Sequence, residues 1–480
     1  MTLVALVLAL ALTLTLVGAA LAEAPATPAA TVAVSGITEG NTLKLYKIAD
    51  AAIGEDNAIH YTFVDNLPTD YDSVDDLKNI ESNSDAANAM ALAYAGVFGG
   101  TTPTYSKANA TGEGTTVTIS NVAAGLYFAI VSGDKDASVV YKSMVINAVP
   151  VANANNGYDA ATPSISVKKE DVTITKTEYD PASAQWAKTT DGYSRGDTIS
   201  FHIDTLIPNY PSNSKNATFV VTDTPTGLND DETSVVVYVG GTDDANKVTA
   251  AADTFAVDAS GDGFTVTFVK SFILAHAGQT VRVAYDAVLT APSVGSGDTT
   301  NTATITYNPN PYEDTTVTPP DTDEQHTYGL VFEKFDDSTP AQPLADAVFA
   351  LYDEAGTTAI TQNGVALTFT TVVDNGHAYV WWDGLEAGTY TIKETAAPSG
   401  FVAMADFQMT VGASVSTHDN PATTETEDHF TVAQSPAVNV HGVELPSTGG
   451  IGTTIFYIVG AVLVLGAAAV IIARRKAEQE

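Results

Sequence analysis

Two stretches of this sequence place a lysine, a carboxylic acid and an asparagine at positions where a β-strand would face a protein core. Side chains alternate faces along a strand. In Val172-Thr173-Ile174-Thr175-Lys176, Lys176 therefore shares a face with Val172 and Ile174. In Phe219-Val220-Val221-Thr222-Asp223, Asp223 lies with Phe219 and Val221, and Asn301 lies with Ala303, Ile305 and Tyr307. Further on, Lys334 follows Leu330 and Phe332 on one face, and Glu394 follows Tyr390 and Ile392. The matching asparagine there is Asn439, which shares its face only with Ala437, while Val438 and Val440 take the other. Burial of an unpaired charge is costly. It lowers a lysine pKa, leaving a neutral and nucleophilic amine, and raises a carboxyl pKa. A protonated acid polarises the carboxamide and passes a proton to the leaving ammonia. The product is a Lys–Asn amide bond formed once, within the protein, with proximity supplying much of the rate. The competing reading for each lysine is a strand-end residue whose head reaches water. For Asn301 the rival is Asn308, at the strand end and off the apolar face.

The elements that must position these residues are short runs rich in Val, Thr, Ile, Tyr and Phe, separated by Gly, Asn, Asp and Pro. Strands are expected over 115–119, 126–131, 218–221, 234–239, 264–269 and 302–307, with an Ala-rich helix around 86–97. Strands at this spacing argue for an all-β chain of β-sandwiches. Two stretches read as boundaries: 152–163, small and Asn-rich, and 309–325, rich in Pro, Asp and Thr. The expected units are 31–164, 165–323 and 327–443. The first contains Lys44 and Lys47, but the strand Gly125-Leu126-Tyr127-Phe128-Ala129 has no acid at the matching point, so no internal amide bond is expected in it.

The chain has 480 residues, a formal net charge of −37 and no cysteine. Such a charge repels nucleic acid and anionic headgroups and suits a soluble surface protein. Disulfides and thiolate metal sites are excluded. No motif for a metal, a phosphate loop or a nucleophilic triad occurs, so no cofactor, no metal and no turnover enzyme are expected. Arg195-Gly196-Asp197 spells an integrin-type tripeptide but sits where a turn enters a strand, and Asp258 to Gly263 lacks the ligand spacing of a calcium loop.

The ends of the chain carry targeting signals. Leu3 to Val17 is apolar and is followed by Ala20-Leu21-Ala22, which reads as a signal peptide over 1–22. At the other end stand Leu445-Pro446-Ser447-Thr448-Gly449, then an uncharged apolar run over 451–473, then Arg474-Arg475-Lys476 opening a basic tail over 474–480. The run exceeds the ~20 residues that a membrane-spanning helix needs, and the cations mark its cytoplasmic side. The pentapeptide resembles a sortase substrate. That resemblance implies cleavage between Thr448 and Gly449 and transfer of the Thr448 carbonyl to an amine, on peptidoglycan or on another protein.

Leu330 to Leu351, with Pro343-Leu344-Ala345-Asp346-Ala347-Val348-Phe349, resembles the opening of a Cna-B-type domain. Tyr390 to Phe401, containing Glu394, is similar to the pilin E-box. Together with the sorting signal, nearly the whole chain resembles the shaft, or major, pilins of sortase-assembled Gram-positive pili. The resemblance implies tandem immunoglobulin-like, Cna-type sandwiches. It also implies isopeptide bonds Lys176–Asn301, assisted by Asp223, and Lys334–Asn439, assisted by Glu394. Its linking lysine would be Lys169, seven positions before Lys176, in Ile165-Ser166-Val167-Lys168-Lys169, with Lys168 as the alternative. Val167-Lys168 replaces the Tyr-Pro pair of the family motif. The implied partners are sortase, other copies of the chain, peptidoglycan, ancillary pilins and host-surface ligands, in a fibre serving adhesion and colonisation. The alternative is a monomeric wall-anchored adhesin or a base or tip subunit.

Overall fold

The computed structural model describes residues 6–7, 26–81, 84–134, 138–290, 299–424, 429–442 and 451–477. The sorting pentapeptide 445–449 lies outside them, as does the 1–22 leader apart from residues 6–7. The chain divides into two compact units. One comprises Met1–Thr327 with Gly384–Ala387, and the other Tyr328–Asp383 with Gly388–Glu480.

The first unit opens with a sheet built on the long strand Thr42–Ile53, which pairs with Gly125–Ser132, Ile59–Phe63 and Tyr105–Ala108. The expected helix is present as Asp85–Phe98. Ser84 caps it by accepting from the Ala87 amide at 3.1 Å, and Ala87, Met90, Ala91, Tyr94 and Ala95 form its buried stripe. Tyr94 and Met90 belong to the same core cluster as Tyr46 and Phe128 of the sheet. A second small sheet orders Ser164–Ser166, Ala30–Ser35 and Val117–Val122.

Residues 172–324 of this unit form a two-sheet sandwich. One sheet runs Gln185–Ala187, Ile174–Asp180, Thr198–Leu206, Thr280–Leu289, Leu228–Val239, Lys247–Val248. The other runs Phe255–Ser260, Gly263–Phe268, Phe219–Thr226, Thr300–Tyr307, Pro320–Glu324. Alternation is clean: in Thr280–Leu289 every second residue from Val281 to Leu289 is buried, and in Thr300–Tyr307 the same holds from Asn301 to Tyr307. This is the pattern of sheets with one face in a core and one in water. The stretches expected as linkers contain paired strands. Tyr158–Asp159 pairs with Val151–Ala152 in the first and Pro320–Glu324 with Thr300–Tyr307 in the second, and just beyond the first Ser164–Ser166 pairs with Ala30–Ser35 and Lys169–Asp171 with Val139–Tyr141.

In the second unit, Tyr328–Asp336 lies between Tyr379–Leu385 and Ala437–His441 in one sheet, with Phe401–Val402 beyond the last strand. Thr368–Thr370, Val348–Tyr352, Gly388–Ala396 and Phe407–Val411 form the other. Tyr328–Asp336 and Ala437–His441 are parallel neighbours. A helix runs from Ile451 to Ala477. Among the described residues no helix is long and apolar enough to cross a membrane. The run over 451–473 falls only partly within the residues whose side chains are described, so its spanning role rests on the sequence.

Candidate functional site

Lys176 faces inward on Ile174–Asp180 and is fully buried, as is Asp223 on Phe219–Thr226; Asn301, near the start of Thr300–Tyr307, is 2 % exposed. Lys176 and Asn301 thus come from opposite sheets of the sandwich. The Lys176 Nζ donates to Asp223 Oδ1 at 2.5 Å and also to the Tyr285 hydroxyl. That hydroxyl donates to Asp223 Oδ2 at 2.8 Å and accepts from Asn301 Nδ2 at 2.9 Å. Asn301 Oδ1 is buried with no hydrogen-bond partner. The ring of Phe201, 4.8 Å from Nζ at its centroid, closes the apolar wall.

Burial pushes the Lys176 amine below its usual range, and the Asp223 carboxylate opposes that shift. Three further acids ring the amine. Burial, then the neighbouring Asp223, pushes Asp230 up to about 9. Burial, then Asp323, pushes Glu178 to about 9, and burial pushes Asp323 to about 6. At neutral pH Asp230 and Glu178 are therefore protonated, which limits the negative charge gathered around a single amine.

The second set is built differently. Lys334 is fully buried on Tyr328–Asp336, and its Nζ donates to the carbonyls of Phe335 at 2.9 Å and Ala437 at 3.1 Å. Asn439 is fully buried, and its Nδ2 donates to Glu394 Oε1 at 2.9 Å and Oε2 at 3.1 Å. The Met404 amide holds Glu394 Oε2 at 2.7 Å. Asn439 Oδ1 has no partner. Burial lowers the Lys334 amine to about 8, against the raising effects of Glu394 and Asp336. Here the acid grips the amide. In the first set it grips the amine.

Both sets bring together the residue types singled out in the sequence. The rival Asn308 is committed elsewhere: its Oδ1 accepts from the Thr218 amide at 2.9 Å, and its Nδ2 donates to the Glu313 and Thr315 carbonyls at 3.3 and 3.1 Å. Near the start of the chain, Lys44 pairs with Glu313 at 2.5 Å and Lys47 with Asp50 at 2.6 Å, both at partly exposed positions. Tyr285, Asp230, Asp323 and Glu178 were not singled out. Glu178 carried a signal, since it stands two residues beyond Lys176 on the same strand face.

Lys169 is exposed and lies opposite Tyr141 in its strand pair. Lys168 is half-buried, which lowers its amine below the usual lysine range. Both line a groove of about 630 Å³ with Lys142, Val167, Asn209 and Gly278. Arg195-Gly196-Asp197 forms a turn in which Asp197 Oδ2 accepts from the Ser194 amide at 2.8 Å, and Gly196 takes a φ of 93° that favours glycine.

Residues 329–427 match the family model of the SpaA prealbumin-like fold domain, and residues 439–479 match the LPXTG cell wall anchor motif. No curated protein matches the chain. Among solved structures, the T6 backbone pilin of Streptococcus pyogenes is similar at a TM-score of 0.64 and 16% identity, covering 87% of this chain and 100% of that one. The full-length major pilin SpaD of Corynebacterium diphtheriae is similar at 0.56 and 17%, covering 86% and 98%. The major pilin SpaA of the same organism, described with a modular pilus assembly and stabilizing isopeptide bonds, is similar at 0.50 and 18%, covering 86% and 100%. At such identities the likeness establishes the fold. The chain is thus a cell-wall-anchored surface protein of the Gram-positive type, with the tandem β-sandwich fold of major pilins, a SpaA prealbumin-like domain and an LPXTG anchor motif.

Proposed function

We propose that the chain is the shaft subunit of a surface pilus. Sortase cuts its precursor between Thr448 and Gly449 and passes the Thr448 carbonyl to Lys169 of another copy, and the last copy is joined to peptidoglycan. Within each copy, Lys176 condenses with Asn301 and Lys334 with Asn439. In each reaction the neutral amine attacks the asparagine Cγ, a C–N bond forms, and Nδ2 leaves as ammonia. No oxidant or cofactor is needed, and nothing turns over.

The observation that carries this reading is the repetition of one buried set, lysine, carboxylic acid and asparagine, in two successive sandwiches ahead of a cell-wall anchor motif. A lone buried charge pair is weak evidence of anything beyond packing. Two such sets, each with an unpartnered amide oxygen, support chemistry. The exposure of Lys169 beside a groove supports its role as acceptor. The three expected units, 31–164, 165–323 and 327–443, are retained as the modules of the fibre, and adhesion and colonisation as its use.

The test is an SDS gel of cell-wall extract. Wild type gives a high-mass ladder, Lys169→Ala collapses it to a single band, and Lys168→Ala keeps it. A ladder in Lys169→Ala rules out Lys169 as the acceptor. A single discrete band from wild type favours the second reading, a monomeric adhesin or a base or tip subunit, for which the replacement of Tyr-Pro by Val167-Lys168 speaks.

A further inference from the structure

We propose that Tyr285 is a catalytic residue of the Lys176–Asn301 reaction and relays a proton from the attacking amine to the departing nitrogen. This rests on the reading above that Lys176 and Asn301 condense. The reaction must remove two protons from Lys176, one to free the lone pair and one after attack, and must protonate Asn301 Nδ2 so that it leaves as ammonia. An acid that touched both nitrogens could do all of this. Asp223 touches only one. Its Oδ1 is 2.5 Å from Nζ, while its Oδ2 is occupied by the Tyr285 hydroxyl at 2.8 Å. Among the described residues, the side-chain hydrogen bond of Asn301 goes to that hydroxyl, at 2.9 Å.

Among the described residues, Tyr285 alone hydrogen-bonds the amine, the acid and the amide. A hydroxyl carries one donor and two acceptor lone pairs, and all three are engaged here. The steps balance as follows. Lys176 gives its first proton to Asp223, and the neutral amine attacks Asn301 Cγ. The carboxamide nitrogen becomes tetrahedral, loses its resonance with the carbonyl and changes from donor to acceptor. The Tyr285 O–H turns from Asp223 Oδ2 to that nitrogen and donates its proton as it takes one from Nζ. The C–Nδ2 bond breaks, and the departing ammonia takes the proton held by Asp223 and leaves as ammonium. Tyr285 and Asp223 end as they began. Burial, then the neighbouring Asp223 and Asp230 carboxyl groups, raises the phenol pKa. The hydroxyl therefore passes the proton on in one concerted movement and does not stand as a free phenolate.

In the second set the acid itself touches the departing nitrogen, since Asn439 Nδ2 donates to both oxygens of Glu394, so protonation of that nitrogen does not pass through Tyr285. That set therefore serves as a control within the same molecule. The Tyr285 ring stacks on Phe201 at 5.5 Å and meets Phe264 edge-on at 4.8 Å. Tyr285→Phe keeps both contacts and deletes the relay.

The experiment follows formation of the two cross-linked peptides in the newly made full chain, by digestion and mass spectrometry at timed intervals. Wild type forms both, and Asp223→Ala loses only Lys176–Asn301. Tyr285→Phe is expected to form Lys176–Asn301 about a hundredfold more slowly, with Lys334–Asn439 at the wild-type rate. Formation of the first bond at the wild-type rate in Tyr285→Phe overturns the proposal. Absence of that bond from wild type overturns the condensation itself, and the proposal with it. If Tyr285→Phe does not fold, 3-fluorotyrosine at position 285 keeps the shape and acidifies the hydroxyl. A changed rate then supports the relay, and an unchanged rate overturns it.

Discussion

Replacing Asn301 by alanine removes the carbonyl that Lys176 attacks and leaves the rest of its strand in place. The proposed bond ties two residues separated by roughly 125 positions, and closing a loop of that length stabilises a fold by about 5 kcal/mol through the entropy of the unfolded chain. For a unit of 150–250 residues each kcal/mol moves Tm by about 2–4 °C, so Asn301→Ala should melt about 10–20 °C below wild type. Intact mass gives the chemical readout: wild type falls short of its sequence mass by two ammonias and Asn301→Ala by one. Asn308→Ala is the control. It strips partners from the Thr218 amide and from two carbonyls, a loss of about 1–3 kcal/mol for buried polar groups left unpaired, yet it should keep both mass deficits. If Asn301→Ala still falls short by two ammonias, Lys176 reacts elsewhere. If Asn308→Ala loses one, Asn308 is the acceptor. An Asn301→Ala protein that lacks one deficit but melts with wild type would refute the loop-entropy argument while leaving the chemistry intact.

The uncoupled lysines should betray themselves by pH. In Asn439→Ala the Lys334 amine stays free, with a folded value of about 8 against ~10.4 in an unfolded chain. Between these values the unfolded state binds the extra proton, so stability rises as pH increases from about 8 to about 10.5; urea midpoints should show this rise in Asn439→Ala and not in Lys334→Met/Asn439→Ala. Under force, the bonded second unit should release almost no chain, whereas Asn439→Ala should release the roughly 105 residues between the two positions, about 350 Å when extended, read as a new step in single-molecule pulling.

Alternation made much of this site legible. Lys176, Asp223, Asn301, Lys334 and Glu394 each stand in register with apolar neighbours, and each is buried. Asn439 was harder to read, because its strand wears its valines outside. Val438 and Val440 are 38 % and 53 % exposed, while Ala437 and Asn439 point inward. Hydrophobicity there marks the wrong face, and the parallel pairing with Tyr328–Asp336 that fixes the right one is a long-range fact. Tyr285 was invisible for the opposite reason. An aromatic among Val281, Val283, Ala287 and Leu289 reads as core filler, and only the meeting of two sheets shows what its hydroxyl touches. The boundary strands escaped for want of local signal as well. Ser164–Ser166 pairs with residues some 130 positions earlier, and no local composition encodes such a partner.

The placement of the two proposed bonds also accounts for where none is expected. In the second unit the first and last strands are parallel neighbours, with Lys334 opposite Ala437 and Asp336 opposite Asn439. Tension applied at the start of one and the end of the other shears them, and a Lys334–Asn439 bond takes that tension directly. In the sandwich over 172–324 the tied strands belong to different sheets, so the load would otherwise slide one sheet over the other across a largely apolar core, against side-chain hydrogen bonds such as Tyr285–Asp223 and Asn301–Tyr285 and without a backbone ladder between the tied strands. If tension enters each copy at Lys169, it reaches Lys176 within seven residues, crosses to Asn301, continues to Lys334, crosses to Asn439 and leaves through Thr448. Residues 26–168 lie outside that path. Their lysines Lys44 and Lys47 sit in partly exposed ion pairs with Glu313 and Asp50, an arrangement suited to folding and not to bearing load. A covalent tie in that stretch would stabilise it without strengthening the fibre, so the proposed use of Lys169 as acceptor and the lack of an expected bond before it would have one mechanical cause.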